Sequence, residues 1–152
     1  MFKNGKFRLA RWISVASVMF GFGIAVPVAV APAASAATSC SGTLIDQLNN
    51  YDYTTSPHKH VATTYLYWDG TYNCAISIKA GSYYGVSSRM NLTLMSQKGG
   101  QASDPGYFKY QAGPVKVNGK GTCIATELDM WRPGGANFLQ DRWPAGGYFH
   151  CG

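Results

Sequence analysis

Four cysteines, Cys40, Cys74, Cys123 and Cys151, are the residues whose type and spacing most firmly commit this chain to a chemistry. The intervals between them are 34, 49 and 28 residues. A tetrathiolate zinc site needs close Cys-x2-Cys pairs, so metal binding through sulfur is not expected. An even cysteine count in a small exported chain reads as two disulfides, with three pairings possible. The sequential pairing, Cys40 with Cys74 and Cys123 with Cys151, is favoured because it ties each end of the domain to an internal strand. Loops of that size contribute about 3.5 to 4 kcal/mol each in the chain-entropy account. The role assigned to the cysteines is structural, not redox.

The remaining reactive groups form weaker patterns. His58-Lys59-His60 places two imidazoles on one side of an extended segment, a spacing that zinc or copper could use. The segment lies beside Pro57 and has only His150 as a third histidine, so two solvated histidines are expected and no metal. A serine hydrolase needs a strained Gly-x-Ser-x-Gly turn, which the chain lacks. Glu127 and Asp129, two apart on a strand, project side by side as the carboxylates of some retaining glycosidases do, but Trp131 stands at the next same-face position. A solvated strand face is the expected account, with no catalytic residue and no cofactor. Asn91-Leu-Thr93 fits a glycosylation sequon to which no role is given.

Aromatic side chains are the most abundant candidates for binding. All ten tyrosines, three tryptophans and three phenylalanines follow residue 37. Most must serve as core and sheet surface. The sharper expectation is that Trp68, with Trp131 or Trp143 or both, forms an exposed platform for a polysaccharide or another surface component, since sugars stack on flat apolar rings. Trp68 is the first choice. A protease inhibitor has a similar size and disulfide number, but no short clamped loop presents a cleavable bond.

The elements that must position these residues are strands. Asp69-Gly70 and Asn118-Gly119 are dipeptides of tight hairpin turns. A two-residue loop at Asp69-Gly70 pairs Tyr67 with Tyr72, Tyr65 with Cys74 and Thr63 with Ile76. The face Val61, Thr63, Tyr65, Tyr67, Tyr72, Cys74, Ile76 and Ile78 is then expected to be the core face, and Ala62, Thr64, Leu66 and Trp68 with Asn73, Ala75, Ser77 and Lys79 the other. Met90, Leu92 and Leu94 alternate with Asn91, Thr93 and Met95 as a third strand. Around Asn118-Gly119, Val115 and Val117 are expected to pair into the face of Thr122 and Ile124, continued by Leu128 and Met130. Further strands are expected near Thr43–Leu48, where Leu44–Asn49 could instead be one helical turn, and at Tyr107–Tyr110 and Gly147–Cys151. Tyr51–His60, Lys98–Gly106 and Arg132–Gly146 read as loops. Six to eight short antiparallel strands without helical periodicity predict an all-β, disulfide-stapled sandwich or small barrel.

Charge and the amino-terminal segment bear on destination. Residues 1–36 combine a basic start (Lys3, Lys6, Arg8, Arg11), an apolar run from Trp12 to Val30 and the small-residue tail Ala34-Ser35-Ala36, the order of a secretory signal peptide. Gly21, Gly23 and Pro27 favour removal, before Ala37, over a retained anchor. Residues 37–152 then form a single exported domain with no membrane contact. That domain has nine basic and seven acidic side chains, a net charge of +2, too small for a phosphate-binding face. No nucleic-acid partner is expected.

With these features placed, the sequence resembles the spore-associated protein A family, small exported proteins of spore-forming actinobacteria. The resemblance runs from Cys40-Ser-Gly-Thr with Leu44-Ile45, through Thr63-Thr64-Tyr65-Leu66-Tyr67 and Asn73-Cys74, to Tyr110-Gln-Ala-Gly-Pro-Val115. It continues in Gly121-Thr-Cys123-Ile and the terminal His150-Cys151-Gly152. Gln111, where an aromatic is expected, and the insertion Asp129–Gly146 mark a diverged member. The resemblance implies a secreted, non-enzymatic protein on the spore or cell surface, with spore or cell-wall components as partners and no catalytic residues to carry over. The competing functions are a small carbohydrate-binding module, then a weak glycosidase or a protease inhibitor.

Overall fold

The computed structural model describes residues 39–152; the expected signal peptide, residues 1–36, lies outside the described residues. Eight strands follow in chain order: β1 Thr43–Asp52, β2 Lys59–Trp68, β3 Tyr72–Lys79, β4 Ser88–Ser96, β5 Gln101–Phe108, β6 Gln111–Asn118, β7 Ile124–Trp131 and β8 Asn137–Trp143. They form two four-stranded antiparallel sheets, ordered β1-β2-β3-β6 and β5-β4-β7-β8. The expected all-β architecture is therefore a sandwich, and Leu44–Asn49 is strand, not helix. None of the described residues forms a helix long and apolar enough to cross a membrane.

Both disulfides have the sequential connectivity, Cys40–Cys74 and Cys123–Cys151. The first ties the segment before β1 to β3. The second ties the carboxyl-terminal segment to the start of β7, where Ile124 and Phe149 exchange backbone hydrogen bonds of 2.8 and 2.7 Å.

Between the sheets, Leu66 and Ala75 meet Val115 and Val117 of the first sheet and Met90, Leu92, Leu94, Leu128 and Met130 of the second. The alternation of β4 is thus read correctly: Met90, Leu92 and Leu94 are wholly buried. The face assignment of β2 and β3 is reversed apart from Val61, which is wholly buried in the core as expected, while Cys74 and Ile76 are also shielded. The inward face carries Ala62, Thr64, Leu66, Ala75, Ser77 and Lys79, none more than 2% exposed, whereas Tyr72 on the other face is 40% exposed. The reversal has a physical cause in a buried polar layer. Lys79 donates to the carbonyls of Val86 and Phe108 and to the Ser88 hydroxyl at 2.7 to 2.9 Å. Thr64 bonds Ser77 and Asn50, and Asn50 reaches Asp141 of the opposite sheet. Polar groups with partners on every side can be buried, so polarity does not mark the solvent face here.

Register and connections differ from expectation in several places. The β2–β3 loop has four residues, pairing Tyr67 with Cys74 and Trp68 with Asn73, because the Asp69 carboxylate accepts the Thr71 and Tyr72 amides and widens the turn. The shift of two residues keeps each residue on its face. Asn118-Gly119 joins no hairpin: β6 pairs with β3 and β7 with β4, so this segment crosses between sheets. Val115 and Val117 consequently face Leu128 and Met130 across the core instead of along one sheet. Lys98–Gly106 is largely β5 and Arg132–Gly146 contains β8 at its centre, while Tyr107-Phe108 ends β5 and Gly147–Cys151 contributes one bridge. The Tyr51–His60 loop is shorter than read, since Tyr51 and Asp52 close β1 and Lys59 and His60 open β2.

Candidate functional site

The outer face of the second sheet gathers the polar and aromatic residues that alternate with its core. Residues opposite one another in an antiparallel pair share a face, so the register defines rows across the sheet. One row is Tyr107, Arg89 and the adjacent Trp131; the next is Pro105, Asn91, Asp129 and Gln140; the third is Ser103, Thr93, Glu127 and Arg142. The Arg89 guanidinium lies 4.4 Å over the Trp131 ring. Tyr107 is 76% exposed. At this end of the face a pocket of about 390 Å³ is bounded by Arg89, Tyr107, Trp131 and the Gly134-Gly135 turn.

The pocket's wall is anchored from behind. Arg132 Nη2 donates to Asp52 at 3.1 Å and to Thr54 at 2.7 Å, and its guanidinium lies 4.7 Å over Phe138. Burial alone would raise the Asp52 carboxyl, but the Thr54 hydroxyl and amide and the Arg132 charge together hold it below the usual range.

The two strand-borne carboxylates occupy the middle rows. Glu127 accepts from Gln140 at 3.2 Å, and Asp129 from Asn91 at 3.3 Å. Burial pushes the Asp129 carboxyl up, and the Glu127 charge adds to the effect, while Asn91 and Arg89 oppose it. Asn91 Oδ1 and Arg142 Nε, both in these rows, are shielded from solvent and have no hydrogen-bond partner. They are the two such side-chain atoms among the described residues.

The three tryptophans do not share one surface. Trp131 belongs to the row just described. Trp143 is 50% exposed and pairs with Thr126, five positions from Trp131 along β7. Trp68 is half-buried in the other sheet and lines a separate pocket of about 250 Å³ with Ile45, Asn73, Gly119 and His150. Gly119 is required there by close approach, since a Cβ would collide with the Asn73 carboxamide and meet the Trp68 ring at 3.2 Å. His58 and His60 are exposed; His58 packs edge-on against Tyr53, and His60 bonds the Thr63 hydroxyl. His150 pairs with Asp46 at 3.1 Å, away from both. Among the described residues no three His, Cys, Asp or Glu side chains come together as a metal site.

Tyr107 and Arg89 were missed by sequence reasoning. The alternation of Arg89, Asn91 and Thr93 against Met90, Leu92 and Leu94 signals an outward polar face. Its partners on β5 and β7 depend on long-range register, which local pattern does not carry. Comparison of the chain with protein-family models, curated proteins and solved structures finds no match.

Proposed function

We propose that the protein is an exported, non-enzymatic domain that associates with the spore or cell surface, and that the outer face of the second sheet is its attachment surface. The observation that carries this reading is the Tyr107–Arg89–Trp131 row beside an open pocket, an aromatic cluster held outside the core of a disulfide-closed sandwich. Two disulfides are compatible with an extracellular destination. The non-enzymatic part is supported by the carboxylates. Glu127 and Asp129 are neighbours on one strand face, each engaged by an amide, and do not oppose one another across a sugar-sized cleft as an acid and a nucleophile must.

The test is a double substitution, Glu127→Gln with Asp129→Asn, followed by fractionation of culture fluid, wall and spore coat. The parent is expected in the wall or spore-coat fraction without glycan-hydrolysing activity, and the variant is expected to keep the fold while its retention weakens, because both carboxylates lie in the proposed attachment face. A glycan-hydrolysing activity that this double change abolishes would establish the glycosidase alternative in place of the present reading.

A further inference from the structure

We infer that the outer face of the second sheet binds a neutral, extended polysaccharide chain, with Tyr107 as the stacking ring and the Asn91 and Glu127 rows as the hydroxyl-binding floor. This deepens the surface-association reading and rests on it for the biological setting, while the binding itself is measurable alone.

The chemistry of the face selects the ligand. A sugar hydroxyl both donates and accepts, and the floor offers carboxylate acceptors at Glu127 and Asp129 interleaved with donors at Asn91, Gln140 and Arg142. The carboxylates of Glu127 and Asp129 are balanced by the guanidinium groups of Arg89 and Arg142, so the rows carry no net charge that would select an anionic polymer or a nucleic acid. Arg89, stacked on Trp131, donates no hydrogen bond among the described residues, so its planar fork remains available at the rim of the pocket.

One observation indicates that the face is incomplete by itself. Tyr107 holds its ring in solvent on an edge strand where no core packing requires an aromatic. Alternate residues on a strand are about 7 Å apart, so three rows span about 14 Å, room for more than one sugar ring.

The full chain, purified in its disulfide-bonded form, is titrated with cellohexaose, chitohexaose, glucose and polygalacturonate while amide and indole NMR signals are followed. The expected result is saturable shifts at Arg89, Asn91, Tyr107 and the Trp131 indole with at least one neutral hexasaccharide, and an unmoved Trp68 indole. That hexasaccharide should bind about 10-fold or more tightly than glucose, and Tyr107→Ala should weaken it by about 10-fold while Tyr107→Phe preserves it, because the stacking face is what is lost. No saturable shift with either hexasaccharide, shifts confined to the Trp68 pocket, or polygalacturonate binding as tightly as the neutral chains would overturn the inference. Surface retention without oligosaccharide binding would sink this inference and leave the proposed function standing; binding without any surface-retained fraction would do the reverse.

Discussion

At the scale of single residues, the buried polar groups of the first sheet explain both a misread face and a set of constraints on ionisation. Burial pushes the Lys79 ammonium down from its ordinary value, yet its three protons each have an oxygen within 2.9 Å. Nothing in Ile76-Ser77-Ile78-Lys79 reveals this, because the acceptors come from the loop before β4 and the end of β5. The aromatic platform was legible in the same partial way. Trp131 is named by its type, but Tyr107 and Arg89 become its neighbours only through strand pairing. Asp129 supplies a prediction at this scale. Its folded carboxyl titrates above the unfolded value of 3.8, so its protonated form contributes stability that is fully present below that pH and lost as pH rises through the folded value. Asp129→Asn removes the titration. The melting temperature of the variant relative to the parent should therefore be more favourable at pH 7 than at pH 3, measured by circular dichroism. A relative stability that instead falls between pH 3 and pH 7 would show that Arg89 and Asn91 hold the ionised form more strongly than burial disfavours it.

At the scale of elements, strands with strong alternation were legible and the edge strands of the second sheet were not. β4 and β7 sit in the middle of their sheet, with Met90, Leu92, Leu94, Leu128 and Met130 all buried, so their apolar period is complete. β5 is an edge strand containing Ser103-Asp104-Pro105-Gly106, a composition that reads as loop. An edge tolerates Pro105 because one side of the strand need not donate to a neighbour. The same edge logic shapes β6, where the pairing with β3 shifts between Ala75 and Ser77. Gly113 lies in that irregularity with φ 89°, and its amide donates to Asp104 at 2.6 Å. An added Cβ would stand 2.7 Å from the Ala75 carbonyl oxygen and 3.1 Å from Leu92 Cδ2. Gly113→Ala combines an unfavourable left-handed backbone with contact against main chain that has no room to yield, and should cost about 2 kcal/mol or more. Urea unfolding of the two proteins measures it. An unchanged midpoint would mean that β6 can leave this register without loss.

At the scale of the whole molecule, the order of strands is what the sequence could least convey, because the chain passes between sheets at β3–β4, β5–β6 and β6–β7. The disulfide pairing, by contrast, was readable from the requirement that both ends be held, and each bridge does join an end segment to a central strand. This closed sandwich governs how the domain can be retained on a surface. A net charge of +2 over residues 37–152 gives only weak attraction to anionic wall polymers. Such attraction fades as the screening length falls to about 3 Å in 1 M salt. On the proposed attachment face, stacking on Tyr107 and hydrogen bonds to a neutral ligand would be short-ranged and would not be screened in that way. Retained protein should accordingly stay bound through a 1 M sodium chloride wash and leave in mild denaturant, with Tyr107→Ala lowering the retained fraction at an unchanged melting temperature. Trp68→Ala is the informative contrast, because that ring packs beside Gly119 at the opposite sheet and its removal should lower the melting temperature instead. Release by salt alone would show that charge holds the protein. Loss of retention in a Trp68→Ala protein of normal stability would move the attachment surface to the first sheet.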